Sequence, residues 1–228
     1  MLKKIIAFCI AGMLLYTNCY AFSDISDNKM SQAVQVLSDF SIINGYEDNT
    51  FKPYNNITRA EFAKIIISAA NLYMPVSDTS SFSDTAGHWA KDYIDISKEL
   101  GIINGVTSNT FAPDEKVTYE QAIKMIVIAL GYNEEAVQKG GYPDGCISQA
   151  NTLGITNGVN FNIKDYATRG NIAMIMRNAL DVDYYSIWNK NGILKRMSTN
   201  KTLYQIQEEL KKANEFEDIV SVPDGAVG

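Results

Sequence analysis

The stretch ITRAEFAKIIISAA, residues 57–70, has the pattern of a helix that begins at a capped N-terminus and is buried along its length. Thr58 and Glu61 have the spacing of a capping box, in which each side chain bonds the free backbone N–H group of the other residue. Apolar residues follow on almost every side, which is typical of a helix enclosed in a core. Arg59 stands at the first helical position, where a cation faces the positive end of the helix dipole at a cost of about 0.3–1 kcal/mol. Because its charge disfavours the helix at this position, we expect Arg59 to have a role other than helix formation.

The same pattern recurs along the chain. Residues 22–66 align without a gap with residues 82–126, 60 positions further on, and a shorter third copy, YPDGCISQANTLGITNGVNFNIKDYATRGNIAMIM, covers residues 142–176. Each copy predicts one helix, a loop rich in Asn, Gly, Pro and Asp, and a second helix that begins at a threonine. A single copy could not bury its own core, so the copies are predicted to fold as one cooperative unit.

The repeats predict an all-α protein in which three helix–loop–helix units form one bundle. The second helices are the more apolar ones and are expected to pack together at the centre, with the first helices outside. The boundaries predicted for the units are residues 22–81 for unit 1, residues 82–141 for unit 2 and residues 142–182 for the shortened unit 3. Residues 183–228 follow as a tail, in which the repeat pattern stops.

Residues 1–21 have the pattern of a secretory signal peptide. Two lysines precede an apolar run at residues 5–15, and Cys19 and Ala21 are suitable residues for the −3 and −1 positions of a cleavage site. The apolar run is shorter than the roughly 20 residues of a spanning helix, so stable membrane insertion is not expected after cleavage. The formal net charge is −6, and cleavage would remove lysines but no acidic residue. An acidic exported chain argues against nucleic acid or an anionic membrane surface as its partner.

Several motifs of the first two units resemble those of the S-layer homology (SLH) family. They are FSD, HWA, GIING, GYEDNTFKP and ITRAEFA. The resemblance covers residues 22 to about 182 and implies an α-helical spindle with pseudo-threefold symmetry and grooves between the repeats. Such domains hold exported proteins non-covalently on bacterial cell walls. The resemblance therefore implies a secreted, wall-bound protein whose partner is a secondary cell-wall polysaccharide linked to peptidoglycan, commonly one with pyruvylated sugars.

Three functions are consistent with this resemblance. The first is non-enzymatic anchoring of an exported protein to the wall. The second is the anchor portion of a longer secreted enzyme, such as a polysaccharide hydrolase, and the third is a structural S-layer subunit that assembles laterally. Proteins of this family usually carry a separate effector after the repeats, so the resemblance allows residues 183–228 to be the start of an effector region that was lost or truncated.

The arginines at the starts of the second helices are the main candidate ligand-binding residues. A helix N-terminus with unpaired N–H groups, together with the planar fork of an arginine, suits a carboxylate, and a pyruvate ketal on a sugar carries one. Arg59 and Arg169 are therefore expected to bind the polymer; the alternative is that Arg59 pairs with Asp24 or Asp48. The residues expected to cap the helices beside this site are Thr58, Glu61, Thr118, Gln121 and Thr168.

Trp89, Asp24 and Asp84 complete the candidate ligand-binding residues. Trp89 would either stack on a sugar ring or seal the apolar face of its own helix. For the two aspartates we favour a structural role, as caps of the first helix or its turn. Tyr119 replaces the arginine in unit 2, and Asn171 replaces the capping glutamate in unit 3, so equal binding by all three grooves is not expected.

No enzymatic or cofactor site is predicted. His88 is the single histidine and lies in one of the repeat motifs, so we interpret it as structural, and Cys146 falls on an apolar face where we expect it to be buried. The sequence has no phosphate-binding loop, dinucleotide fingerprint or zinc spacing. GYEDNTF and DISDN lack the acidic ladder of a calcium loop, which makes a calcium-dependent docking module the weaker alternative. We therefore expect no catalytic residue, no metal and no cofactor.

Overall fold

A computed structural model of the chain describes residues 22–220, with side chains up to residue 215. This part is mostly helical, as predicted. Its helices are α1 (Asn28–Asp39), α2 (Arg59–Ala70), α3 (Lys91–Glu99), α4 (Tyr119–Ala129), α5 (Asn133–Gln138), α6 (Asp144–Thr152), α7 (Arg169–Leu180) and α8 (Leu203–Val220). Two antiparallel strands, β1 (Asp183–Lys190) and β2 (Ile193–Thr202), form a hairpin between α7 and α8. The predicted signal peptide, residues 1–21, lies outside the described residues.

The three helix–loop–helix units are α1–α2, α3–α4 and α6–α7, and they close into a ring. Each first helix packs against the second helix of the unit before it, so that α3 contacts α2 and α6 contacts α4. The contact between α1 and α7 joins unit 1 to unit 3 and closes the ring. The all-α, pseudo-threefold arrangement is therefore confirmed, and the first helices cover their neighbours' second helices.

A cycle of three backbone hydrogen bonds marks the pseudo-threefold axis. The Ile57 N–H donates to the Ala167 carbonyl at 3.0 Å, the Ala167 N–H to the Val117 carbonyl at 2.8 Å, and the Val117 N–H to the Ile57 carbonyl at 3.1 Å. The three side chains are fully buried. The segments that lead into the second helices are thus held together, and their buried polar groups are satisfied.

The second helices form much of the core. Large, fully buried side chains on these helices include Phe62, Ile67, Ile123 and Ile172. Cys146 is buried, as expected, on the first helix of unit 3. Burial raises the pKa of its thiol, so this residue is a small apolar filler rather than a reactive group. No helix among residues 22–220 has both the length and the apolar character needed to cross a membrane.

Residues 183–202 form a β-hairpin that the repeat pattern does not predict. Asn191 and Gly192 occupy its turn with φ angles of 55° and 77°. Both angles are in the left-handed region, which a tight two-residue hairpin turn requires and which Asn-Gly adopts readily. The hairpin leads into α8, and both pack against the C-terminal ends of the second helices, away from the backbone cycle at their N-terminal ends.

The hairpin and α8 supply partners to helix ends that would otherwise be incomplete. The side-chain amide of Gln207 donates to the carbonyls of Ser68 and Ala69 at 3.0 and 2.8 Å, and the Tyr184 hydroxyl donates to the Ala70 carbonyl at 3.2 Å. These carbonyls lie in the last turn of α2, where the helix supplies few donors; the Ser68 carbonyl also accepts from the Asn71 backbone N–H at 3.4 Å. The described part of the tail is thus an integral part of the packed module.

Candidate functional site

Each second helix begins at a junction with the loop of another unit. The backbone N–H of Arg59 donates to the Glu115 carbonyl at 2.9 Å, and that of Ala60 donates to the Pro113 carbonyl at 2.9 Å. The helix that begins at Arg169 is bonded to the loop of unit 1 in the same way. The expectation of an anion site on bare N–H groups is therefore wrong, because the next loop already occupies the first donors of the helix.

The Arg59 side chain crosses the same junction. Its Nε donates to the Phe111 carbonyl at 2.9 Å and its Nη2 to the Asn104 carbonyl at 3.2 Å. The guanidinium carbon lies 4.4 Å from the centroid of the Phe111 ring. Two carbonyl dipoles and a ring face therefore compensate the cation at the start of α2. Within residues 22–215, these hydrogen bonds use two of its five N–H groups, and the side chain also lines a groove.

Arg169 makes matching contacts with unit 1. Its Nε donates to the Phe51 carbonyl and its Nη2 to the Asn44 carbonyl, both at 3.0 Å. The guanidinium carbon lies 4.7 Å from the Phe51 ring centroid and 5.0 Å from that of Tyr46. The residue equivalent to Tyr46 in unit 2 is Val106, so Arg169 has a second aromatic neighbour that the first junction lacks.

Asp24 and Asp84 hold the loops that accept hydrogen bonds from the arginines. The Asp24 carboxylate accepts from the backbone N–H groups of residues 51 and 52 at 2.8 and 2.7 Å. The Asp84 carboxylate accepts from those of residues 111 and 112 at 2.9 and 2.8 Å. Their interpretation as caps of the first helix is therefore wrong. They fix the loop backbone instead, and they do so with carboxylates that make no ion pair with Arg59 within residues 22–215.

Asp48 is likewise not a partner of Arg59. Its carboxylate accepts from the Thr50 hydroxyl at 2.6 Å and lies 3.6 Å from the Lys52 ammonium. The hydrogen bond from Thr50 outweighs desolvation and, together with Lys52, lowers the pKa of this exposed carboxyl group. The alternative in which Arg59 pairs with Asp24 or Asp48 is therefore wrong as well.

Tyr119 takes the arginine position at the junction between units 2 and 3. Its ring stacks on Phe161, with centroids 4.4 Å apart. Its hydroxyl oxygen accepts from the Thr168 backbone N–H at 3.2 Å and from the Asn171 side-chain amide at 2.9 Å. This junction is closed by aromatic packing and neutral hydrogen bonds, so it offers an anion no cation at the arginine position.

The predicted caps are present at all three second helices. Thr58 with Glu61 and Thr118 with Gln121 form complete capping boxes. In unit 3 the Thr168 hydroxyl oxygen accepts from the Asn171 backbone N–H at 3.4 Å, without the return bond that would complete a capping box. Capping therefore accounts for these threonines without any ligand.

A groove of about 250 Å³ opens beside Arg59. Its walls are loop residues 102–106 of unit 2, the first turns of α4 with Gln121 and Lys124, and Tyr142 of unit 3. The Lys124 ammonium lies 3.2 Å from the side-chain amide of Asn104 and 5.7 Å from the Tyr142 ring centroid. The groove thus brings together three units, two cations and a half-exposed aromatic ring.

The cations of this groove are partly withdrawn from water. Burial lowers the pKa of the Arg59 guanidinium, and the nearby carboxylate of Asp84 opposes that change. Burial also lowers the pKa of Lys124; Cys146 opposes this change, while the positive charges of Arg59 and Lys98 add to it. Burial and the two neighbouring cations disfavour the charged lysine, so a bound anion would relieve their repulsion.

The structure does not bring Trp89 into this groove. Its side chain is 58% exposed and therefore does not seal the apolar face of its helix. Its ring lies beside that of His88, with centroids 5.3 Å apart, and the His88 Nε2 lies 3.3 Å from an Asp114 oxygen. The His88 Nδ1 accepts from the Ala90 backbone N–H at 3.1 Å, which agrees with a structural role for the histidine.

Lys124, Asn104 and Tyr142 are site residues that the motif-based reasoning does not identify. For Lys124 a signal exists: Lys64 stands at the same position of unit 1, on a helix whose other faces are mostly apolar. A recurring lysine on a buried helix indicates a position that faces a groove. Asn104 contributes its carbonyl and amide, and Tyr142 comes from the start of a different unit, so no local pattern marks them.

Comparison with known families decides the nature of units 1 and 2. The family model described as the S-layer homology domain matches residues 21–63 and 81–123. These two segments are S-layer homology domains. Unit 3 has the same order of helix, loop and capped helix but lies outside the matched residues, so its assignment as a third S-layer homology domain remains a prediction.

Relatives that match this chain include enzymes, such as an exoglucanase of Acetivibrio thermocellus, and proteins named for bacterial cell walls and surface layers. The middle cell wall protein of Brevibacillus brevis is 33% identical over 162 residues, which are 69% of this chain and 15% of that protein. The surface layer protein of Brevibacillus choshinensis is 29% identical over 194 residues, 79% of this chain and 17% of the relative. The cellulosome-anchoring protein of Acetivibrio thermocellus is 29% identical over 110 residues, 46% of this chain and 25% of the relative.

The chain spans a quarter or less of the length of each of these relatives. The S-layer homology domains and the relatives support a location at the cell wall or S-layer of a bacterium and a non-catalytic anchoring role for the matched segments.

Proposed function

We propose that this chain anchors an exported protein to the bacterial cell wall by binding an anionic, pyruvylated polysaccharide that is linked to peptidoglycan. The observation that carries the proposal is the groove beside Arg59. It holds the guanidinium of Arg59 and the ammonium of Lys124, and none of the described residues that line it is acidic. Two desolvated cations in one concave site suit a carboxylate on a rigid ligand.

The shape of the groove suits a sugar that carries this carboxylate. The Arg59 N–H groups that make no hydrogen bond within residues 22–215 and the ammonium of Lys124 can share one anionic group. The ring of Tyr142, which is half exposed, offers an apolar face to a pyranose ring. The Asn104 amide adds a neutral hydrogen-bonding group next to the lysine. A polysaccharide with regularly spaced acidic ketals would meet all these groups at once.

The charge of the chain supports a local contact over general electrostatic attraction. The formal net charge is −6, so an anionic polymer gains nothing from the field of the whole protein. The affinity must then come from short contacts that salt screens weakly. The same charge argues against nucleic acid as the partner.

In this proposal, residues 1–21 direct export and units 1 to 3 form the wall-binding module. The described part of the tail packs into this module, where Tyr184, Ile187 and Leu203 are buried. Among the described residues, no group of three or more His, Cys, Asp or Glu side chains is placed to hold a metal ion.

Purified protein that begins at residue 22 is expected to sediment with cell walls of its source bacterium and to stay bound in about 0.5 M salt, because the contacts are short and partly desolvated. Chemical removal of the polysaccharide from the same walls should release it. Denatured protein is the control for non-specific adhesion. Retention on bare peptidoglycan, or complete release by the salt wash, would contradict the proposal.

A further inference from the structure

We propose that Gln121 makes the groove beside Arg59 the preferred anion site of this chain, because it caps α4 without bringing a negative charge into the groove. The inference rests on the proposed binding of an anionic wall polymer. Gln121 would then determine which groove binds the anionic group, although Gln121 itself carries no charge.

Gln121 and Glu61 perform the same capping task at equivalent positions. The Gln121 side-chain oxygen accepts from the Thr118 N–H at 3.2 Å, and the Glu61 carboxylate accepts from the Thr58 N–H at 2.8 Å. Each residue also donates its own backbone N–H to the threonine hydroxyl oxygen. The helix therefore needs an oxygen at this position, and an amide supplies it as a carboxylate does.

The two residues differ in what they bring to the adjoining groove. Gln121 lines the groove beside Arg59 together with Lys124, which lies three residues further along the same helix. A carboxylate at position 121 would place a negative charge within one helical turn of the lysine, since residues three apart are neighbours on a helix surface. It would offset the positive charge of the groove and repel an incoming anion. The neutral amide leaves both cations of the groove available.

The junction at Arg169 has the opposite arrangement. The positions equivalent to Gln121 and Lys124 are Glu61 and Lys64, so this junction has a capping carboxylate one helical turn from its lysine where the Arg59 groove has a neutral amide. Tyr46 also covers the guanidinium, with its ring centroid 5.0 Å from the central carbon of Arg169. An anion at this junction meets less positive charge and a more shielded arginine than it meets beside Arg59.

The third junction has neither cation. Tyr119 stands at the arginine position and is stacked on Phe161, and Met174 stands at the lysine position. The three junctions therefore form a series in which the available positive charge falls from the Arg59 groove to the Arg169 junction and then to the Tyr119 junction. The preference for the Arg59 groove therefore follows from the side chains at equivalent positions, since the backbone of the three junctions is alike.

The test is an NMR titration of the full chain with a methyl glycoside that carries a pyruvate ketal, and with the uncharged methyl ester of the same compound. We expect Gln121→Glu to weaken binding of the acid at least tenfold, about 1.4 kcal/mol, with no loss of melting temperature, because glutamate also caps. Gln121→Ala should keep the affinity and lose stability, since it removes the cap without adding a charge. The converse variant Glu61→Gln should strengthen binding at the Arg169 junction.

Unchanged affinity of Gln121→Glu, with binding by the wild-type protein intact, would overturn the role of Gln121 and leave the anchoring proposal standing. Failure of the wild-type protein to bind either the acid or the purified wall polysaccharide would overturn the anchoring proposal itself. Equal loss of affinity in Gln121→Ala and Gln121→Glu would show that the cap, and not its charge, controls the groove, which also contradicts the inference.

Discussion

A chain that ends at Val182 is expected to lose more than about 4 kcal/mol of the free energy of unfolding, because it lacks three buried side chains whose individual truncation costs about 2–5 kcal/mol each. These side chains are Tyr184, Ile187 and Leu203, which are 2–5% exposed. The truncated chain also lacks Gln207, so the Ser68 and Ala69 carbonyls in the last turn of α2 each lose a hydrogen bond. Since domains are typically stable by only about 5–15 kcal/mol, much of the truncated protein should be unfolded at room temperature.

Thermal and denaturant unfolding followed by circular dichroism would measure this loss. A chain that ends at residue 215 is the matched control, because it keeps all the described side-chain contacts of the hairpin and α8. If chains ending at 182 and at 215 unfold at the same denaturant concentration, the tail is an independent appendage and its packing contributes no stability.

Replacement of Arg59 by alanine is expected to reduce both stability and wall binding. The variant leaves the carbonyls of Phe111 and Asn104 without their donor, and hydrogen bonds to charged groups are each worth about 1.5–3 kcal/mol, so we expect a loss of about 2–4 kcal/mol in the free energy of unfolding. The groove also loses one of its two cations, which should weaken the binding of an anionic polymer at least tenfold. The helix dipole alone would predict unchanged or slightly raised stability for Arg59→Ala, because a cation at a helix N-terminus is unfavourable. That prediction leaves out the hydrogen bonds from Arg59 to the loop of unit 2.

Two further variants separate the effects at this position. Arg59→Lys keeps the charge but not the planar fork, so it should lose stability and retain part of the affinity. Arg169→Ala should lose a similar amount of stability, because its hydrogen bonds match those of Arg59, while its effect on affinity should be smaller. An Arg59→Ala protein that unfolds like the wild type would show that the carbonyl contacts are not made in solution.

The helices and their starting points could be predicted from the sequence because the determining signals are local. The capping box at Thr58 and the apolar run that follows define α2; the box recurs at Thr118 in unit 2, and unit 3 keeps the threonine cap and the apolar run. The closure of three units into one module follows from the fact that no single unit can enclose its own apolar residues.

The contacts between the units could not be predicted from the same signals, because they join residues far apart in the chain. Arg59 contacts residues 104 and 111 of unit 2, and Arg169 reaches back to residues 44 and 51 of unit 1. A capping pattern shows that an arginine stands at a helix start but not what it faces.

The hairpin differs from the contacts between units because the sequence signal for its turn is local. Asn191-Gly192 is the residue pair expected at a tight hairpin turn, but the repeats offer no counterpart with which to compare it. The polar and aromatic residues on either side also do not alternate strongly enough to predict two strands.

The most direct test of the central claim compares the affinity of purified wall polysaccharide for the wild-type protein and for Lys124→Met. Methionine is the residue at the equivalent position of unit 3, so the fold accommodates it, and removal of a charge that is partly buried should not lower the melting temperature. We predict at least a tenfold loss of affinity, about 1.4 kcal/mol, and a much smaller change for the matched control Lys64→Met at the Arg169 junction. Polysaccharide binding by Lys124→Met that equals that of the wild type would contradict the assignment of this groove as the site that anchors the chain to the wall.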